Sequence, residues 1–322
     1  MTNAQHVLKS ETGVVAWGMV PTPFERDGRL DVPSLRQIVR HLLDNGCDGL
    51  IALGVIAEPL TLSAAEKSEI LETIESVAGG VPIVASVLAL ESGSFGTEFA
   101  ALTAKARRSV SAVMIPVTAS SAEGVRRSVA TAHEAAGVPV IIQDLPRFSG
   151  VEISAHHLAV ALNESPECIA VKCEAMPTYE RIEYLDRNTR VELISGFGGL
   201  GVVDDVIAGA SAVAIGTTAT REVATALRLA LVGRYHEAAE VVGRAATRIH
   251  YETQTGPNIA IRKHHWMQAG VIETDVVRPP TRPFEPALRK HAAVYSCVVA
   301  GPDPGASGIG PSMGTSTSAR QT

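Results

Sequence analysis

The sequence predicts an α/β protein, a (β/α)8 barrel of the TIM type with a C-terminal helical appendage. Three observations predict it. Eight short runs rich in Val, Ile and Ala recur, each followed by a helical segment. The runs are continuously apolar rather than alternating, as strands buried on both faces of a parallel sheet are. Their starts are spaced by about 20 to 35 residues, the size of one βα unit. No break interrupts the series, which favours a closed barrel over an open doubly wound sheet.

The strands fall at 14–20, 49–53, 83–87, 112–115, 140–144, 169–173, 191–195 and 212–215. Between them, helix signals follow in order. Asp31 is an N-cap candidate, and Asn45-Gly46 closes that helix. Ser63 and Glu66 have capping-box spacing; Ile70, Ile74 and Val77 then share a face, and Gly79-Gly80 ends the helix. Ser121 and Ser154 cap two later helices, and Gly137 closes the first of these. After the eighth strand come helical stretches at 221–232, 235–249, 259–270 and 286–299. A barrel needs only the first, so the others form an appendage packed on it. The expected layout is an N-terminal extension over 1–12, the barrel over 13–232, the helical region over 233–300, and a tail over 301–322. The tail is dense in Gly, Ser, Thr and Pro, and that composition predicts flexibility.

Composition agrees. The chain has 322 residues, 46% apolar and only 4% aromatic, so the core is built from Ala, Val, Leu and Ile. Lys and Arg number 28 against 34 Asp and Glu, a net charge of −6, which argues against nucleic acid or an anionic membrane surface as the main partner. Cys47, Cys168, Cys173 and Cys297 are scattered, which is no disulfide framework and suits a reducing compartment. Residues 1–13 lack the apolar region of a signal peptide, and no stretch approaches a membrane span. The expectation is a soluble cytoplasmic protein.

A barrel of this kind carries its active site at the C-terminal ends of the strands. Lys172 lies in Ile-Ala-Val-Lys-Cys-Glu, and no other lysine of the chain sits inside an apolar strand. Lost solvation frees its amine to attack a carbonyl and form a Schiff base; the alternatives are a carboxylate pair or a lysine reaching to the rim. Glu174, two residues on, faces the same side, as a proton carrier or a plain ion-pair partner. Gln143 and Asp144 end the fifth strand at the mouth, although Asp before a Pro-containing turn is also ordinary punctuation. Gly54, before Val55, Ile56, Ala57 and Glu58, permits close backbone approach to an anion, or simply makes a βα turn. The Gly196-Phe-Gly-Gly-Leu-Gly201 run matches G-x-G-x-x-G, but no acidic residue ends the following strand. It reads as a close-approach loop, not a dinucleotide site. His156-His157 and His264-His265 are adjacent pairs that diverge on a helix, and no metal motif appears. Cys168 and Cys173 flank the sixth strand, where packing is the expected role.

These segments together resemble the dihydrodipicolinate synthase / N-acetylneuraminate lyase family, class I aldolases on a (β/α)8 barrel. The resemblance runs from about Val14 to Pro280. It is carried by Pro21-Thr-Pro-Phe-Glu-Arg-Asp-Gly, Asn45-Gly-Cys-Asp-Gly-Leu-Ile-Ala-Leu-Gly and Pro59-Leu-Thr-Leu-Ser-Ala-Ala-Glu-Lys, by the Lys172 strand, by Ile194-Ser-Gly, and by Ile261-Arg-Lys with Val277-Arg-Pro-Pro. The resemblance implies that Lys172 is the Schiff-base lysine and that Gly196 and Ile215 turn backbone carbonyls toward the pocket. It also implies a homotetramer of tight dimers, or a homodimer. The family's Gly-Thr/Ser-Thr-Gly-Glu motif holds a 2-oxo acid carboxylate; here Gly54, Val55, Ile56, Ala57 and Glu58 carry no hydroxyl. Its proton-relay tyrosine is replaced by Gln143, and its second carboxylate-binding arginine by Phe148, beside Arg147.

The expected function is therefore a lyase that needs no cofactor or metal. Lys172 condenses with a 2-oxo acid such as pyruvate, or an aldehyde, for aldol cleavage, condensation or dehydration. Asp144, Gln143 or Glu174 moves protons, and the amides around Ile56 and Ala57 hold an anionic group. Authentic dihydrodipicolinate synthesis is not expected. A non-catalytic ligand-binding or regulatory barrel is the alternative, and an oxidoreductase or phosphate-ligand enzyme using the Gly196 loop is a third reading.

Overall fold

Eight parallel strands close into a barrel in chain order in the computed structural model, which describes residues 15–88 and 94–299. They are β1 (Val15–Met19), β2 (Gly49–Ala52), β3 (Ile83–Ser86), β4 (Ala112–Pro116), β5 (Val140–Asp144), β6 (Cys168–Cys173), β7 (Glu192–Ser195) and β8 (Ala212–Ile215). Pairing of Val15 with Ala212 closes the ring. The expected 1–12 extension and 301–322 tail lie outside the described residues.

The continuous apolar runs arise because each strand has a core on both sides. Trp17, Ile51, Val84, Met114, Ile141 and Ile194 fill the barrel interior, with Ala112, Ala170, Ala212 and Ala214 keeping the space narrow. Intervening residues such as Leu50, Val113, Val171, Val213 and Ile215 pack outward under the helices. Gly49 leaves room for the Trp17 ring; a Cβ there would lie 2.5 Å from Cζ3.

One irregularity matters for the site. Pairing between β5 and β6 passes from Val140–Cys168 to Ile141–Ala170, so Ile169 is an extra residue, a β-bulge. Beyond it, Gln143 stands beside Lys172, and Lys172 beside Ile194, in one row at the C-terminal mouth.

The helices in order are α1 (Val32–Asp44), α2 (Ala64–Val77), α3 (Ser94–Ala100), α4 (Ala104–Arg108), α5 (Ala122–Ala136), α6 (Pro146–Ser149), α7 (Ala155–Asn163), α8 (Thr178–Asn188), α9 (Val202–Ile207) and α10 (Thr220–Leu231). The appendage is α11 (Tyr235–Gly243), α12 (Ala246–Glu252), α13 (Asn258–Gln268) and α14 (Arg289–Val299). Asp31, Ser121 and Ser154 cap α1, α5 and α7, and Ser63 with Glu66 forms a capping box on α2. The stretch expected at 235–249 is two helices, α11 and α12. Gly243, a poor helix former, ends the first. The segment after α13 turns back onto the start of the barrel. Lys263 and Arg278 both stack on Phe24, each 4.2 Å from the ring centre.

Candidate active site

Lys172 is buried at the barrel mouth, 4% exposed. Its Nζ lies 3.4 Å from Glu174 Oε2 and 3.7 Å from Met19 Sδ. Gln143 Nε2 donates to the same Glu174 oxygen at 2.8 Å, and the Phe197 amide donates to Glu174 Oε1 at 3.4 Å. Glu174 is thus fixed beside the amine from three sides. Gly196 makes that possible, since a Cβ there would sit 2.2 Å from Glu174 Cγ. Gln143 Oε1 is buried without a hydrogen-bond partner among the described residues.

These groups open onto a cavity of about 210 Å3. Val55, Ile56, Leu145, Phe148 and Phe197 form its apolar walls. Arg147, Thr253, Thr255, Asn258 and Arg262 supply the polar ones. Arg147 lies over the Phe197 ring, 5.6 Å from its centre, and donates to Thr255 Oγ1. Among the described residues, three that are not glycine have positive φ: Leu53, Glu58 and Phe197. All follow β2 or β7 at the mouth, where strain is held by surrounding structure. A wider groove of about 960 Å3 lies outside, between α6–α7 and α8. It shares Arg147 and Glu174 with the cavity but does not reach Lys172, so the smaller cavity is the candidate site.

The cavity brings together Lys172, Glu174, Gln143, Val55, Ile56, Arg147 and Phe148. Other expected residues stand elsewhere. Asp144 does not reach the mouth: side chains alternate along a strand, so with Gln143 inward Asp144 points outward. There Arg181 Nε donates to it at 2.6 Å. Burial pushes its carboxyl up, and Arg181 opposes that. Glu58 is also turned away, buried against Lys263 and accepting from the Arg278 amide at 2.9 Å. Gly54 and Ala57 belong to the turn but do not line the cavity. The Ala57 amide is spent on the Gly54 carbonyl at 2.8 Å, so it is not free for an anion. Gly196 backs Glu174, and its carbonyl accepts from the Gly199 amide at 2.9 Å; the Ile215 side chain packs outward, which leaves the expectation for its backbone carbonyl untouched, while Ala214 and Gly216 line the cavity. Six lining residues were missed. Met19 and Phe197 lie at the ends of β1 and β7 but are apolar and carry no chemical signal; Thr253, Thr255, Asn258 and Arg262 come from the appendage, which inspection of strand ends does not reach. Asn258 and Arg262 are four apart on α13, a same-face spacing that was readable.

The histidine pairs are engaged separately: His264 with Asp275 at 2.8 Å and His265 with Glu252 at 2.6 Å. Among the described residues no cluster of His, Cys, Asp or Glu could hold a metal ion, and no helix is long and apolar enough to cross a membrane. Cys47, Cys168 and Cys173 are free and buried, and burial pushes the Cys47 and Cys168 thiols up to about 12. They are packing residues, not nucleophiles.

Fold and site define a class: closed (β/α)8 barrels with a buried lysine on the sixth strand. The chain belongs to the dihydrodipicolinate synthetase family, which it matches over residues 13–295. A 4-hydroxy-tetrahydrodipicolinate synthase of Parabacteroides distasonis is 27% identical over 267 residues, covering 81% of this chain and 89% of that protein. A 4-hydroxy-tetrahydrodipicolinate synthase 2 of Streptomyces coelicolor is 36% identical over 166 residues, 50% of this chain. One of Methylococcus capsulatus is 31% identical over 166 residues, again 50% of this chain. The chain spans about half the length of those last two relatives, 53% and 55%. In structure it is similar to a dihydrodipicolinate synthase from Rhodopseudomonas palustris, TM-score 0.81 at 22% identity over 89% of this chain and 98% of that one. The enzyme of that name from Aquifex aeolicus gives 0.75 at 22% identity, over 87% and 96%. These two likenesses carry the fold.

Proposed function

We propose that this protein forms a Schiff base between Lys172 and a small 2-oxo acid or aldehyde. The observation that carries this is the Lys172–Glu174–Gln143 cluster on a cavity that has apolar walls on one side and the polar groups of Arg147, Asn258 and Arg262 on the other. The amine adds to the carbonyl carbon, water leaves, and the iminium accepts the electron pair of an adjacent C–C or C–H bond. Glu174, within 3.4 Å of Nζ, takes and returns the protons, and Gln143 orients it. The reaction is an aldol cleavage, condensation or dehydration. The cavity lies a little below the usual range for drug-sized ligands, about 300–1,000 Å3, which favours a small substrate.

Authentic dihydrodipicolinate synthesis fits poorly, although that activity names the relatives. Val55 and Ile56 offer no hydroxyl to a carboxylate, Gln143 stands where the family's proton-relay tyrosine is expected, and Phe148 carries no charge. A coupled reductase assay showing turnover of about 1 per second or faster, within the ordinary enzymatic range, would overturn this. The same replacements support a second reading, a barrel that binds a carbonyl ligand without turnover. The two part on whether an adduct forms and is then released as product.

A cytoplasmic location fits the three free thiols, and a homodimer or homotetramer fits the family. The 13–232 barrel with its 233–300 helical region fits the layout of the helices. The decisive experiment is borohydride trapping against a panel of 2-oxo acids and aldehydes, read by intact mass. One substrate mass should be added to the wild type and none to Lys172→Ala. Peptide mapping that places the adduct on Lys263, the other buried lysine among the described residues, sinks the assignment.

A further inference from the structure

Arg262 enters the same cavity from α13, not from the barrel. It is 6% exposed, and its Nε and Nη1 have no hydrogen-bond partner among the described residues. Its nearest sources of negative charge are already engaged. Glu252 accepts from Thr218 and contacts His265, and Glu174 is held by Lys172 and Gln143. Burial accordingly pushes the guanidinium pKa down from its usual value, only partly offset by those carboxylates. Keeping a charge buried without a partner is unfavourable, and an anionic ligand removes that penalty.

The ordinary place for such an anion in this barrel, the turn after β2, is poorly equipped. Val55 and Ile56 have no hydroxyl, and the Ala57 and Glu58 amides bond to the Gly54 and Val55 carbonyls. A guanidinium fork, by contrast, matches a carboxylate with two parallel hydrogen bonds. Asn258, one turn earlier on α13, lines the same cavity and adds a polar group beside it.

We propose that Arg262 holds a carboxylate of the carbonyl substrate, so that the anion anchor stands on the C-terminal helix and not on the turn after β2. This rests on the Schiff-base reading but is tested apart from it. In Lys172→Ala, which cannot form an imine, calorimetric titration compares pyruvate and 2-oxoglutarate with their carboxamides and with inorganic phosphate. The acids should bind better than the amides by roughly 10- to 150-fold, the ratio expected of a charge-assisted hydrogen bond. Adding Arg262→Met should abolish that preference and leave amide binding unchanged, while Arg262→Lys keeps part of it. Arg262→Met should also melt no lower than its parent, having no described partner to lose. A preference that survives Arg262→Met, no carboxylate binding at all, tighter phosphate binding, or a lowered melting temperature each overturns the proposal. Failure of the Schiff-base reading looks different: no borohydride adduct on the wild type, with Arg262-dependent binding intact.

Discussion

Two carboxylates at the ends of the adjacent strands β5 and β6 have opposite surroundings. Glu174 touches Lys172 inside the barrel; Asp144 touches Arg181 outside it. Glu174→Gln should therefore lower turnover by about 10²–10⁴-fold, the usual worth of a placed proton carrier, while borohydride still traps the adduct. Asp144→Asn should leave turnover unchanged. It should cost roughly 3–5 kcal/mol of stability, because it strips a buried ion pair of one partner. Rate assays and denaturant melts on both variants check this, and a slow, stable Asp144→Asn would reverse the assignment. Lys172 was legible in the sequence, since an ammonium inside an apolar strand demands a reason. Period-two alternation could also have separated Gln143 from Asp144. What no local rule supplied was Arg181, which comes from α8, beyond the sixth strand.

The loop after β7 shows what an element adds. Its glycines are explained by packing. A Cβ at Gly199 would lie 2.2 Å from Val223 Cγ1, and one at Gly198 2.5 Å from Thr217 Cγ2. The G-x-G-x-x-G match is therefore a loop pressed against its own barrel, as its lack of a following acidic residue indicated. Gly196 differs, because its neighbour is Glu174. Gly196→Ala should push that carboxylate off Lys172 and lose turnover within the same range of about 10²–10⁴-fold. The Glu174→Gln/Gly196→Ala double variant should be no slower than the slower single, since both act through one group. Additive losses in a double-mutant cycle would mean the loop acts on something else. The strands themselves were legible because burial on both faces leaves an unmistakable apolar run. The bulge at Ile169, which sets the register of Lys172 against Gln143, was not legible, because it depends on how β5 and β6 pair.

At the scale of the molecule, the cavity is completed by chain that is remote in sequence, and that dependence was hidden. Thr253, Thr255, Asn258 and Arg262 line the cavity, and the C-terminal segment that carries them is clamped to the start of the barrel. Lys263 pairs with buried Glu58. Arg278 donates to the Gly28 and Thr61 carbonyls and meets the Glu66 carboxylate with both terminal nitrogens. The Arg278 hydrogen bond is the main reason the Glu66 carboxyl is held down at about 2. Its folded pKa lies below the ordinary 4.5, so the pair contributes stability above pH 4.5 and loses it as pH falls toward 2. Glu66→Gln isolates this effect, because glutamine still serves the third position of the α2 capping box. The Glu66 side chain is 24% exposed, so solvent screening reduces the effect. The variant should then be less stable at pH 7 by on the order of 1–2 kcal/mol. Its deficit should shrink steadily between pH 4.5 and 2, because the wild type loses the same charge there. Chemical denaturation of both proteins across that range reads the difference directly. A deficit independent of pH would mean that the clamp works by shape alone and that the Arg278 charge does not fasten the appendage to the barrel.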